Sequence, residues 1–92
     1  EFVIDRAKLD GGQSLVVGRS RSSDVVLTHE SVSRRHARMW LDKAGVLWVE
    51  DLGSSAGTYV AQDRIRKATA VPAGTHVRFG AMGYTFHIGR DV

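Results

Sequence analysis

Residues 51–60 read Asp-Leu-Gly-Ser-Ser-Ala-Gly-Thr-Tyr-Val, and the interpretation of this run decides the fold. Its first part has the composition of a tight loop, since Gly tolerates positive φ and Ser and Thr side chains can satisfy loop backbone. Its end, Thr58-Tyr59-Val60, has the β-branched and aromatic residues of a strand. Two more polar segments precede it at workable distances, Gly18-Arg19 and Ser31-Val32-Ser33-Arg34-Arg35-His36-Ala37. Each of these polar segments lies between strand-like runs.

Working outward, the whole chain reads as short strands punctuated by Gly, Asp and Ser clusters at roughly 8–12-residue spacing, the cue for an all-β sandwich. Residues 2–9 alternate loosely up to a turn at Asp10-Gly11-Gly12, residues 14–17 form a second run ending at Gly18, and residues 25–27 form a third. Ala37, Met39 and Leu41 alternate with Arg38, Trp40 and Asp42, and a turn at 42–45 leads into 46–50, which predicts a hairpin. After the Gly-Ser loop come 58–60, a polar turn at 61–63 and a run over 64–66, and Pro72-Ala73-Gly74 then punctuates. Val77 and Phe79 share one face of 76–79, a turn follows over 80–83, and Tyr84, Phe86 and Ile88 share one face of 84–88. The expectation is nine or ten strands in two packed antiparallel sheets, with loops gathered at the ends of the sandwich.

Composition is that of an ordinary globular chain: 92 residues, 42% hydrophobic and 25% charged, with no apolar run of membrane-spanning length. Residues 1–92 are expected to form a single domain, and an opening without Met or leader character suggests a piece of a longer protein. The absence of cysteine excludes disulfides, thiolate metal sites and cysteine nucleophiles and fits a reducing, cytoplasmic setting. A net charge of +3 favours anionic partners. Its placement is more informative, because Arg19, Arg21, Arg34 and Arg35 all fall in or next to the first two polar segments.

The ordered set of Gly18-Arg19, Ser33-x-x-His36 and Leu52-Gly53-Ser54-Ser55-Ala56-Gly57-Thr58 resembles the signature of the forkhead-associated (FHA) domain, over roughly residues 15–88. That resemblance implies an FHA-like β-sandwich whose end loops bind phosphothreonine peptides in signalling. Arg19 and Ser33 match positions that contact the phosphopeptide, Arg34 matches one that also reaches the phosphate, and Ser55 matches a variable position that adds a donor in some members. A guanidinium suits this chemistry because its planar fork stays charged and can bind two oxygens at once. Gly18, His36, Gly53, Ser54, Gly57 and Thr58 are expected to build the site rather than touch the ligand, with Gly18 letting the chain turn out of its strand and His36 tying loops together.

The sequence departs from the pattern at Ala56, where those domains carry an Asn that holds the peptide backbone, and at Val60-Ala61-Gln62, where they often have Val-Asn-Gly. Losing two hydrogen bonds to a ligand costs about 1–3 kcal/mol, on the order of 10- to 100-fold in affinity, so the site is expected to be weakened rather than abolished. The second departure predicts a different hairpin turn. The partner expected is a threonine-phosphorylated protein or peptide, or another domain of a parent protein. The alternative is a diverged FHA-like domain that binds a protein without phosphate.

Other chemistries compete weakly. Ser33, His36 and Asp51 have the residue types of a hydrolytic triad, but there is no nucleophile elbow and little chain to enclose a substrate, so no enzyme is expected. His29, His76 and His87 show no ligand spacing, and neither metal nor cofactor is expected. The Gly-Ser loop lacks the Gly-Lys-Ser/Thr ending of a nucleotide-binding loop. Trp40 and Trp48 could stack on nucleic acid, yet aromatic pairs across a hairpin usually serve packing, so neither nucleic acid nor membrane is an expected partner.

Overall fold

Strong alternation of apolar and polar residues over short runs leaves the chain one way to bury its apolar face, by stacking sheet on sheet. The computed structural model describes residues 2–5 and 12–89, with side chains over 12–87. Among the described residues ten strands are found: β1 (Phe2–Asp5), β2 (Ser14–Gly18), β3 (Val25–Val26), β4 (Ala37–Leu41), β5 (Leu47–Asp51), β6 (Thr58–Val60), β7 (Asp63–Arg64), β8 (Thr69–Val71), β9 (His76–Phe79) and β10 (Met82–Gly89). They form two five-stranded sheets, ordered β1-β10-β9-β6-β7 and β3-β2-β4-β5-β8.

The inward phase of each strand supplies the core. Leu15, Val17, Ala37, Met39, Leu47, Val49 and Val71 come from one sheet, and Val60, Val77, Phe79 and Phe86 from the other. Phe79 and Phe86 meet edge to face at 6.0 Å, a favoured arrangement of aromatic quadrupoles. On the outer face Trp40 lies directly opposite Trp48, with the Arg38 guanidinium 4.4 Å from the Trp40 ring and paired to Glu50 at 2.9 Å. The tryptophans are therefore sheet surface, half-buried by their neighbours.

Three details differ from the sequence expectation. The pairings β1 with β10 and β2 with β3 are parallel; side-chain alternation is the same in either direction, so it carries no information on this point. The strand β8 was not anticipated, and it forms by pairing with β5 rather than from any strong local pattern. The last hairpin turns at Gly80-Ala81, and β10 already begins at Met82. The expected turn at Asp10-Gly11 lies outside the described residues, as does the side chain of Ile88.

The departure at Val60-Ala61-Gln62 also resolves unexpectedly. Val60 pairs with Asp63, leaving a two-residue loop in which Ala61 has φ of 50° and Gln62 of 78°. Positive φ at both positions is the sign pattern of the type I′ turn that Asn-Gly favours. The hairpin keeps that geometry with residues poorly suited to it, at a cost of roughly 1 kcal/mol or more per residue.

Candidate functional site

Strand register alone brings the three polar segments to one end of the sandwich. Val17 is opposite Ala37, and Ala37 is opposite Asp51, so the end of β2, the start of β4 and the end of β5 lie side by side. The loop 52–57 then crosses from β5 to β6, carrying the chain from one sheet to the other.

The first two segments are joined through backbone. The Arg19 amide donates to the Ser33 carbonyl at 3.0 Å, the Ser20 amide to the Arg34 carbonyl at 3.2 Å, and the Ser23 hydroxyl to the same Arg34 carbonyl at 3.3 Å. Gly18 is required by this crossing rather than by a turn: a Cβ there would collide with the Arg34 carbonyl oxygen. No side chain fits so close to backbone, and the expected turning role is replaced by one of contact. Arg19 Nε donates to the Val32 carbonyl at 3.0 Å, which anchors the side chain and leaves its two terminal nitrogens for other partners.

His36 joins the second segment to the third. It is fully buried, with Nδ1 accepting the Ser33 amide at 3.1 Å and Nε2 donating to the Gly57 carbonyl at 2.8 Å. An acceptor at Nδ1 fixes the hydrogen on Nε2. Phe79 packs against the ring edge to face at 5.9 Å. With both nitrogens committed to backbone, His36 makes no hydrogen bond to the Ser33 hydroxyl, and the Ser-His pairing of a hydrolase is not formed.

Asp51, which the sequence offers only as a catalytic acid, organises the loop itself. Its carboxylate accepts from the Gly53 and Ser54 amides, both at 2.9 Å, from the Ser54 hydroxyl, and from the Thr58 hydroxyl at 2.7 Å. Partial burial opposes its charge, but these hydrogen bonds outweigh that effect and hold its pKa below the ordinary carboxylate value. The Ser54 hydroxyl also accepts the Gly57 amide at 3.0 Å, and Gly53 and Gly57 take φ of 82° and 90°. The signal was present, since an Asp two and three residues ahead of Gly-Ser is the pattern of a side chain capping its own turn.

The ligand-contact candidates come together unequally. The Ser55 amide donates to the Ser33 hydroxyl at 3.3 Å, so these two residues, 22 apart in sequence, touch. Because Ser33 Oγ accepts there, its own hydrogen stays available to a ligand. Arg19, Arg34 and Ser55 are exposed and Ser33 is half-buried. Among the described residues neither Arg19 nor Arg34 pairs with a carboxylate within 4.0 Å. Ala56, half-buried between Ser55 and Gly57, offers no side-chain donor or acceptor. Among the described residues no cluster of His and acidic groups is arranged to hold a metal, and no helix is long and apolar enough to cross a membrane.

The Arg, Ser-x-x-His and Gly-Ser loops are thus stitched together at one end of a β-sandwich, and comparison with known proteins shows the class to which such a sandwich belongs. The chain matches the FHA domain over residues 15–80 and belongs to that family. FhaB of Mycobacterium tuberculosis, an FHA domain-containing protein, is 46% identical over 69 residues, covering 74% of this chain and 43% of FhaB. The crystal structure of an FHA domain from Chlamydia trachomatis superposes with a TM-score of 0.78 at 31% identity, over 84% of this chain and 77% of that one. M. tuberculosis EmbR, solved in complex with a low-affinity phosphopeptide, superposes with a TM-score of 0.72 at 35% identity, over 78% of this chain and 19% of EmbR. The chain spans less than half the length of the curated relatives it matches.

Proposed function

We propose that this FHA domain is a phosphothreonine-dependent interaction module in signalling, binding threonine-phosphorylated proteins or peptides through Arg19, Ser33, Arg34 and Ser55. The observation that carries this reading is the contact between the Ser55 amide and the Ser33 hydroxyl beside an Arg19 anchored at Nε but not at its terminal nitrogens. A phosphate brings several acceptor oxygens and close to two negative charges, and it is best met by a charged fork and short hydroxyl donors held in fixed positions. Arg19 supplies the fork, Ser33 the hydroxyl hydrogen, and Arg34 a second charge at the rim. The phosphopeptide complex of the related EmbR supports the same ligand chemistry.

The module acts by binding and carries out no reaction. A cytosolic setting suits a chain without cysteine, and the bound threonine belongs either to a separate protein or to another domain of a longer parent chain. One observation favours a second reading. Ala56 removes the amide that the family's pattern places beside the peptide backbone, as a domain that binds its partner without phosphate would tolerate.

Calorimetry with matched phosphorylated and unphosphorylated threonine peptides separates the two. Binding confined to the phosphorylated form, and lost in Arg19→Ala with an unchanged melting temperature, is the expected result. Equal affinity for both forms selects the phosphate-independent reading.

A further inference from the structure

Along the edge formed by β7 of one sheet and β8 of the other lies an open hollow of about 510 Å³. Val60 and Ile65, both buried, form its floor. Its rim carries Arg64, Arg66 and Lys67 against a single acid, Asp63. All four rim residues are exposed, and among the described residues none of the three cations has a carboxylate within 4.0 Å. Neither the resemblance nor the site described above makes use of this concentration of charge.

Arg64 connects the hollow to the phosphate site. It lies opposite Tyr59 in the β6–β7 hairpin, and the Ile65 amide binds the Thr58 carbonyl at 2.9 Å, which holds this stretch level with the end of the Gly-Ser loop. A Cβ at Gly57 would fall 2.7 Å from Arg64 Nε and 3.0 Å from its Cζ. The guanidinium therefore lies against the Gly57 backbone, one residue from Ala56. A peptide anchored by its phosphate at Arg19, Ser33 and Ser55 and running past Ala56 meets Arg64 before any other charged side chain of this edge.

We propose that Arg64, Arg66 and Lys67 form a subsite for acidic side chains, selecting phosphopeptides that carry Asp or Glu beside the phosphothreonine. The proposal rests on the phosphothreonine reading above and gives it a sequence preference. Where Ala56 offers the peptide no polar side chain, the free cations of the hollow supply charge instead. Guanidinium groups favour carboxylates through paired hydrogen bonds, and an exposed pair contributes modestly, so two or three together give a preference rather than an on–off switch.

The test uses the chain with three phosphothreonine peptides: one with neutral flanks, one with Glu residues before the phosphothreonine and one with Glu residues after it. Wild type is expected to bind one of the acidic peptides roughly threefold to tenfold more tightly than the neutral one. The gap should narrow as salt rises, because exposed pairs are screened. Arg64→Gln/Arg66→Gln/Lys67→Gln, checked for an unchanged melting temperature, should bind the neutral peptide and show no gap. A gap of equal size in wild type and variant, or no gap in wild type, overturns the acidic subsite while leaving phosphothreonine binding standing. If a single-stranded oligonucleotide binds wild type but not the variant and the peptides show no gap, the hollow serves nucleic acid and the inference fails. If none of the phosphopeptides binds, the phosphothreonine reading itself falls and the subsite falls with it.

Discussion

The β4–β5 hairpin has an aspartate at each end, and the two ends are held in opposite ways. At the far end Asp42 accepts the amides of Ala44 and Val46, each at 2.9 Å, and the indole N–H of Trp48 at 2.8 Å, all within six residues of itself. At the loop end Asp51 holds its own turn but also Thr58 of the other sheet, and the neighbouring His36 ties Ser33 to Gly57, 21 residues beyond it. The far turn is closed by local contacts and depends on little else. The loop end combines such local contacts with others that reach the opposite sheet and exist only when both sheets are assembled, so its shape is inseparable from the fold.

The comparison can be broken most sharply at His36. Replacing a fully buried ring that makes two hydrogen bonds leaves a cavity and two unpaired backbone groups. His36→Ala is expected to cost roughly 2–4 kcal/mol in chemical denaturation and to abolish peptide binding. Equal stability of wild type and variant would show that the loops hold their shape without it.

Asp51 comes next. Asp51→Ala removes an acceptor shared by four donors and is expected to cost about 1–3 kcal/mol. Its pKa is depressed below 3.8 in the folded state, so its contribution is present above the ordinary carboxylate range and is lost as pH falls through the depressed value. Asp51→Asn should flatten acid unfolding in that window. Asp42 is also depressed, chiefly by the Trp48 indole and the Val46 amide, and its acid loosening has the same sign. Asp42→Ala should nevertheless leave phosphopeptide affinity unchanged, whereas Asp51→Ala should lower it; equal losses at the two positions would erase the distinction between the ends.

A gain is expected at the β6–β7 turn. Ala61→Asn combined with Gln62→Gly places suitable residues at φ of 50° and 78° and should stabilise the domain by about 1 kcal/mol, read as a raised denaturation midpoint. The smallest effect concerns the ligand: Ala56→Asn should tighten phosphopeptide binding by roughly 1 kcal/mol, about fivefold, by restoring a donor and an acceptor. No gain in titration would indicate that the ligand does not run along that loop.

Much of the architecture was legible because period-two alternation survives any choice of partner. The inward sets Ala37/Met39 and Val77/Phe79 are buried as their spacing implies. Strand direction was not legible, for the same reason, and β8 was missed because its three residues become a strand only against β5. At the site, Arg19, Ser33, Arg34 and Ser55 are candidates through the FHA resemblance, and the fold brings Ser33 and Ser55 into contact. The close approaches of Gly18 and Arg64 are not legible in the sequence, since each is to a residue distant in sequence, Arg34 for the first and Gly57 for the second. Local chemistry such as the Asp42 turn can be read from neighbours, while close approach between loops needs the assembled fold.

The most direct test of the central claim is a titration of ¹⁵N-labelled domain with a phosphothreonine peptide, following backbone amides by NMR. The amides of Arg19, Ser33, Arg34 and Ser55 should shift together on the phosphorylated peptide and stay fixed on its unphosphorylated twin. Shifts concentrated instead on the outer sheet around Trp40 and Trp48, or identical with and without the phosphate, would contradict a phosphothreonine site at the end of the sandwich.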